Sequence, residues 1–225
     1  VHALRGIDFS ISEGEFVTIM GTSGSGKSTL LNILGCLDTP SDGEYYLDGI
    51  SVLKMGKNER ATLRNRKIGF IFQSYNLLAK TTAVENVELP LMYNPDISAK
   101  DRHQRAIKAL QDVGLGDRLN HKSNQMSGGQ MQRVAIARAL VNEPVIILAD
   151  EATGNLDTRT SFEILSLMQR LHSQGRTIIF VTHNLEISAF SSRNIVIRDG
   201  RIKEDTRNTN IQSAKEFLAK LPVEN

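Results

Sequence analysis

Short apolar runs, each closed by a glycine or a polar residue, set the rhythm of this chain. Phe16-Val17-Thr18-Ile19-Met20 is β-rich, shows no polar alternation and stops at Gly21. It predicts a buried strand. The glycine-rich residues 21–26 predict a loop, and residues 28–34 a helix. Residues 43–47 predict another strand, ended by the turn pair Asp48-Gly49. Residues 68–72 predict a strand with Gln73 at its end. Residues 145–149 and 177–181 are apolar and predict two more strands. Strands apolar on both faces point to a parallel sheet covered by helices, an α/β fold.

Between these runs the pattern turns polar. Residues 74 to about 124 predict a mostly helical insert, and within it Ile107, Leu110 and Val113 share one face of a helix. Residues 195–197 with Asp199-Gly200 predict a late β-hairpin. After about Asp205 the tail is polar, with weak helical character over residues 214–221. There is no internal repeat and no low-complexity tract.

Bulk properties narrow the picture little. A chain of 225 residues suits one large domain. Its single cysteine, Cys36, excludes a disulfide framework and favours a reducing compartment. The net charge of +2 comes from intermixed acids and bases and demands neither nucleic acid nor an anionic membrane as partner. No apolar run approaches the ~18 residues of a membrane span, and no signal-peptide pattern opens the chain. The expectation is a soluble protein, held at any membrane by another subunit.

Gly21-Thr22-Ser23-Gly24-Ser25-Gly26-Lys27-Ser28 fits G-x-x-x-x-G-K-[ST] throughout. Backbone N–H groups are suited to bind a triphosphate, and glycines let the chain turn them inward. The N-terminus of the following helix favours an anion. Lys27 adds a mobile positive charge for the β- and γ-phosphates, and Ser28 a hydroxyl for Mg²⁺.

Residues 145–149 lead into Asp150-Glu151. A carboxylate at the end of a buried strand beside a phosphate loop can hold Mg²⁺, which suits Asp150. Glu151, one residue on, points differently and is placed to accept a proton from the attacking water or to orient it. Gln73, ending its own strand, can coordinate Mg²⁺ or hold water. His183, just past residues 177–181 and Thr182, sits where parallel sheets put their ligands and can reach a γ-phosphate. Each position also admits a plainer reading: an acidic strand end, a polar strand end, a turn histidine.

Met126-Ser127-Gly128-Gly129-Gln130 then narrows the field. Ser127 can cap a helix starting near Gly128, and the glycines expose its first amides, a second phosphate-binding helix end. This run resembles the signature motif of ABC ATPases. With it the whole order resembles that family: residues 21–28 as Walker A, Gln73 as the Q-loop, residues 127–130 as the signature and residues 145–150 as Walker B. Glu151 resembles the catalytic glutamate, Gly154-Asn155-Leu156-Asp157 the D-loop and His183 the switch histidine.

The resemblance implies a P-loop NTPase core with a mixed, mainly parallel sheet, an antiparallel β subdomain and a helical insert. It implies ATP and Mg²⁺ as cofactors. The nucleotide-binding set becomes residues 21–28, Thr29, Gln73, Ser127, Gly128, Gly129, Gln130 and Asp157, with Ser28, Gln73 and Asp150 at the metal and Glu151 and His183 catalytic. Two copies pack head to tail in that family, each ATP lying between Walker A of one and the signature of the other. A membrane permease subunit docks at the helical insert around Gln73, on the cytoplasmic side of the inner membrane, and no nucleic acid is involved.

Gly35-Cys36-Leu37-Asp38-Thr39-Pro40, residues 85–91 and Leu148-Ala149-Asp150-Glu151 resemble the macrolide-exporter and lipoprotein-releasing branch. A non-transporting cell-division ATPase or an importer subunit would present the same ATP site. DNA-repair members carry a long coiled coil or zinc module between Walker A and the signature, and this short interval with one cysteine has room for neither. Thr22 and Ala152 stand where proline is usual, and Met126 where leucine is usual; none removes a chemical group. Val1 falls inside an expected early strand, so the aromatic that stacks on adenine in the family has no counterpart; Val1 and His2 lie nearest its place.

Overall fold

A computed structural model describes residues 3–222. Val1 and His2 lie outside the described residues. In chain order, β1 (Phe16–Met20) leads to α1 (Lys27–Leu34), then a hairpin of β2 (Tyr46–Leu47) and β3 (Ile50–Ser51), α2 (Lys57–Lys67) and β4 (Ile68–Phe72). Next come α3 (Ala83–Glu88), α4 (Ala99–Asp112), α5 (Gly128–Leu140), β5 (Ile146–Asp150), α6 (Thr158–Ser173) and β6 (Thr177–Thr182). The chain then forms β7 (Arg193–Arg198), β8 (Arg201–Arg207) and α7 (Ala214–Lys220).

The main sheet has the order β4-β5-β6-β1-β7-β8. Every pairing is parallel except the last, where β7 and β8 form the expected hairpin. The central strands are buried along their whole length. Successive side chains point to opposite faces, so Phe16, Ile147, Ile178 and Phe180 enter one core while Val17, Leu148, Ile179 and Val181 enter the other. Both faces need apolar residues, which is why the sequence shows runs rather than alternation. Each such side chain contributes roughly 1.5–3 kcal/mol by burial. Phe180→Ala in the middle of the sheet would cost about 3–5 kcal/mol.

One core holds Leu30, Leu31 and Leu34 of α1. The other holds Val134, Ile136 and Ala137 of α5 and the buried face of α6. α1 and α5 therefore cover opposite faces. α3, α4 and α5 pack on one another, and two 3₁₀ turns, Leu89–Tyr93 and Ser123–Gln125, complete the stretch between β4 and α5.

Several elements differ from the sequence expectation. The strand predicted over residues 43–47 shrinks to Tyr46–Leu47. Gly43 has φ 95°, which bends the chain before a ladder can start, and Asp48 and Gly49 at φ 51° and 73° close a tight primed turn. The strand predicted at 145–149 lies one residue later, since Val145 is exposed and Asp150 still pairs with Val181. β8 runs to Arg207 through the predicted polar tail; it is an edge strand, whose exposed face is charged.

No strand precedes β1 among the described residues. Ile7, Phe9 and Ile11 pack against the α1-side core without a ladder, and Arg5 N donates to Gly200 O at 2.8 Å. Two helices were not expected. α6 buries Phe162, Leu165, Met168 and others at helical spacing and is capped by Asp157. α2 is almost wholly polar, burying only Leu63, and starts where the Glu59 carboxylate accepts from Gly56 N at 2.7 Å.

Candidate functional site

Strand register assembles the site. Met20 pairs with Thr182, Asp150 with Val181, and Phe72 with Asp150. The C-terminal ends of β1, β6, β5 and β4 therefore finish along one edge, and Gly21, His183, Glu151 and Gln73 all emerge there. This is the edge at which open parallel sheets bind ligands.

Gly26 caps α1 in a left-handed conformation, φ 107°, that a side chain would strain. No side chain caps α1. The first amides of that helix are thus directed into the loop without a protein side chain to satisfy them. Lys27 Nζ lies across the loop, donating to Gly21 O at 2.7 Å and Thr22 O at 2.9 Å. Ser25 is buried, and its Oγ has no partner among the described residues. Thr22, Ser23, Gly24 and Ser28 are exposed, and Thr29 is half-buried. Uncapped amides, a lysine and an orphaned hydroxyl in one loop suit a polyphosphate.

Asp150 is half-buried at the end of β5. Burial, then the negative charge of Glu151, pushes its carboxyl above the usual range, and Lys27 opposes this. A carboxylate so placed calls for more positive charge. No group of three His, Cys, Asp or Glu able to hold a metal occurs among the described residues. Mg²⁺ does not need one, because it keeps water and phosphate oxygens as ligands and takes only one or two protein groups. The hydroxyl of Ser28, the amide oxygen of Gln73 and the Asp150 carboxylate are oxygen donors of the right kind.

Glu151 has φ 48°. A non-glycine residue held there costs of order 1–3 kcal/mol and persists only when its surroundings fix it. Its N–H donates to Val181 O at 2.9 Å, and its carbonyl accepts from Gly154 N at 2.8 Å. Its Oε1 stands 2.7 Å from Nδ1 of the exposed His183. Gln73 lies against the turn that follows Glu151: its Nε2 donates to Asn155 Oδ1 and its backbone carbonyl accepts from Asn155 Nδ2, both at 3.1 Å.

Ser127 is exposed and caps α5. Its Oγ accepts from Gln130 N at 3.3 Å, and its own N–H donates to Gln130 Oε1 at 2.9 Å. Gln130 is therefore engaged in starting the helix. A Cβ on Gly129 would stand 2.5 Å from Thr160 Cγ2, so this glycine lets α5 lie against the start of α6. Asp157 caps α6: Thr160 N donates to its Oδ1 at 2.8 Å and Thr160 Oγ1 to its Oδ2 at 2.6 Å. These bonds hold its carboxyl below the usual range. Among the described residues, no hydrogen bond or ion pair joins residues 127–130 to residues 21–28.

Two features lie outside the sequence reading. Tyr75 and Asn76, at φ 60° and 50°, form a consecutive left-handed pair after Gln73. Arg138 donates to both of their carbonyls, to Tyr75 O at 2.8 Å. Gln132 donates Nε2 to Ala152 O at 2.8 Å. Neither carries a local signal, since each is one polar residue on an otherwise ordinary helix.

The family profile described as ABC transporter matches residues 4–154. An uncharacterized ABC transporter ATP-binding protein of Thermotoga maritima is 60% identical over 203 residues, covering 90% of this chain and 86% of that protein. The macrolide export ATP-binding/permease protein MacB of Brucella melitensis is 51% identical; the match covers 97% of this chain but 34% of MacB. Among solved structures, the dimeric post-hydrolysis state of the ATP-binding cassette MJ0796 bound to ADP and Pi superposes with a TM-score of 0.82 at 47% identity. It covers 91% of this chain and 90% of that one.

Proposed function

This chain belongs to the ABC transporter family, and from that premise we propose that it hydrolyses Mg-ATP as a head-to-tail pair to drive export through a membrane subunit. It is the ATP-binding cassette and ATPase of a transporter. One observation carries the assignment of its residues: Gly21, Gln73, Glu151 and His183 emerge along one sheet edge, with Glu151 and His183 2.7 Å apart.

In this reading the amides of residues 21–28, with Lys27 and Thr29, hold the phosphates. Ser28, Gln73 and Asp150 hold Mg²⁺, which when bound neutralises phosphate charge. Glu151 takes the proton of the attacking water or orients it, and His183 steadies that carboxylate. The exposed Ser127, with Gly128, Gly129, Gln130 and Asp157, faces the nucleotide of the second copy. The dimeric state of the MJ0796 structure supports the pair.

The chain acts as a single domain, with residues 74–124 as its helical subdomain. A groove of about 680 Å³ is lined by Leu37, Arg64 of α2, Phe70 and Phe72 of β4, Tyr93 of this subdomain and Arg138 of α5. Leu37 and Tyr93 are 51% and 80% exposed, and exposed apolar groups around a groove mark a partner site. The permease subunit docks there, and the chain sits on the cytoplasmic face. Among the described residues no helix is long and apolar enough to cross a membrane. The similarity to MacB supports export.

Glu151→Gln tests the assignment. It keeps the shape and removes the base, so turnover should fall to a small residual rate while ATP stays bound and a dimer accumulates on gel filtration with ATP and Mg²⁺. A variant that stays monomeric, or hydrolyses normally, sinks the role given to Glu151.

A further inference from the structure

Gln132 lies on α5 with no exposed surface. Its Nε2 donates to Ala152 O at 2.8 Å, while its Oε1 has no partner among the described residues. An unpaired buried acceptor is costly, and a methionine of the same shape would only exchange it for an unpaired carbonyl at Ala152, so the fold gains little from the amide. Packing alone therefore does not call for an amide here. What the amide supplies is a single bond, made across 20 residues of sequence, to the peptide that follows Glu151.

That peptide matters because of the backbone beside it. Glu151 is held at φ 48°. Its turn is tied on one side to Val181 O and on the other to Gly154 N. The Gln132 bond is a third tie, on Ala152, which is itself buried. A left-handed residue relaxes when its ties are cut, and its side chain swings with it.

We propose that Gln132 is a positioning residue for Glu151: through Ala152 O it fixes the turn that aims the Glu151 carboxylate at His183 and the attacking water. The inference rests on the ATPase reading above. Gln132 acts from α5, five residues and roughly 7 Å of helix from the cap at Ser127. A shift of the helix end that faces the second nucleotide thus reaches the glutamate of the first.

The test measures steady-state ATP hydrolysis and thermal unfolding for the native chain, Gln132→Met, Glu151→Gln and the double variant. Gln132→Met should lower kcat at least tenfold, leave KM for ATP within twofold and leave Tm close to native, since it removes one unpaired acceptor, Gln132 Oε1, and creates another at Ala152 O. In the Glu151→Gln background it should alter the residual rate less than twofold, because residues acting through one group are not additive. A normal kcat in folded Gln132→Met, or an equal fall in both backgrounds, overturns the proposal. If Gln132→Met does not fold, Gln132→Asn, which keeps the amide but falls short of Ala152 O, is read by the same criteria. A native chain without turnover overturns the ATPase reading and this inference with it. A native chain that turns over at the same rate as Gln132→Met overturns this inference alone.

Discussion

Glu151 Oε1 and His183 Nδ1 meet at 2.7 Å across the ends of two neighbouring strands, the glutamate mostly covered and the histidine 70% exposed at its side chain. The covered carboxylate has few other orientations, so the contact fixes the imidazole as much as the imidazole fixes it. His183→Ala should keep nucleotide binding and lower kcat by about 100-fold, the lower end of the range for a positioned acid–base group. Phosphate release at saturating ATP checks this, and a rate within twofold of native would exclude the role.

Lys27 spans the loop, donating to Gly21 O and Thr22 O. A phosphate offers the ammonium a better, charged acceptor. Hydrogen bonds to charged groups are worth about 1.5–3 kcal/mol, or roughly 10- to 150-fold in affinity. Lys27→Ala should weaken ATP binding by that factor in a direct titration. Unchanged affinity would contradict the phosphate assignment.

Gly129 has no room for a Cβ because Thr160 Cγ2 would lie 2.5 Å away. Gly129→Ala should destabilise the fold by about 1–3 kcal/mol through overpacking. Thr160→Ser deletes that methyl and keeps the hydroxyl that donates to Asp157. Combined with Gly129→Ala it should recover most of the loss in urea unfolding. A double variant no better than Gly129→Ala alone would show that the clash is not the cause.

Arg193 grips Asp205 with two bonds of 2.7 Å, tying β7 to β8. The side-chain bond from Arg193 holds the Asp205 carboxyl below the usual range. A carboxyl depressed on folding stabilises the chain above its unfolded pKa, about 3.9, and that contribution is lost as pH falls through the folded value. The pair sits at the sheet edge with Arg193 mostly covered and Asp205 about a third exposed, so Asp205→Asn should cost about 1 kcal/mol at pH 7. The gap between native and variant unfolding midpoints should narrow as pH drops from about 5 towards 3. A gap that widens on acidification would refute the sign.

What the sequence by itself determined is what a few neighbouring residues decide together. A strand, a glycine loop and a helix over residues 16–34 need only local turns and one buried run, and residues 16–20 do form β1 ahead of that loop. Asp150-Glu151 is a local event of the same kind, a polar pair ending an apolar strand. Fully apolar runs also foretold a parallel sheet, because only strands covered on both faces read that way.

What only the tertiary structure decided depends on strand order and helix contact. Gln73 meets Asn155 across 82 residues, and Gln132 meets Ala152 across a chain reversal. The sequence reads Gly129 as a glycine that bares helix amides; that it also makes room for Thr160 on α6 depends on helix packing, which no apolar run reports. The two-residue hairpin in place of a longer strand followed from positive φ at Gly43, Asp48 and Gly49. A local pattern reports which face of an element is buried. It does not report which other element covers that face, and the order β4-β5-β6-β1 is what sets Gln73, Glu151, His183 and Gly21 on one edge.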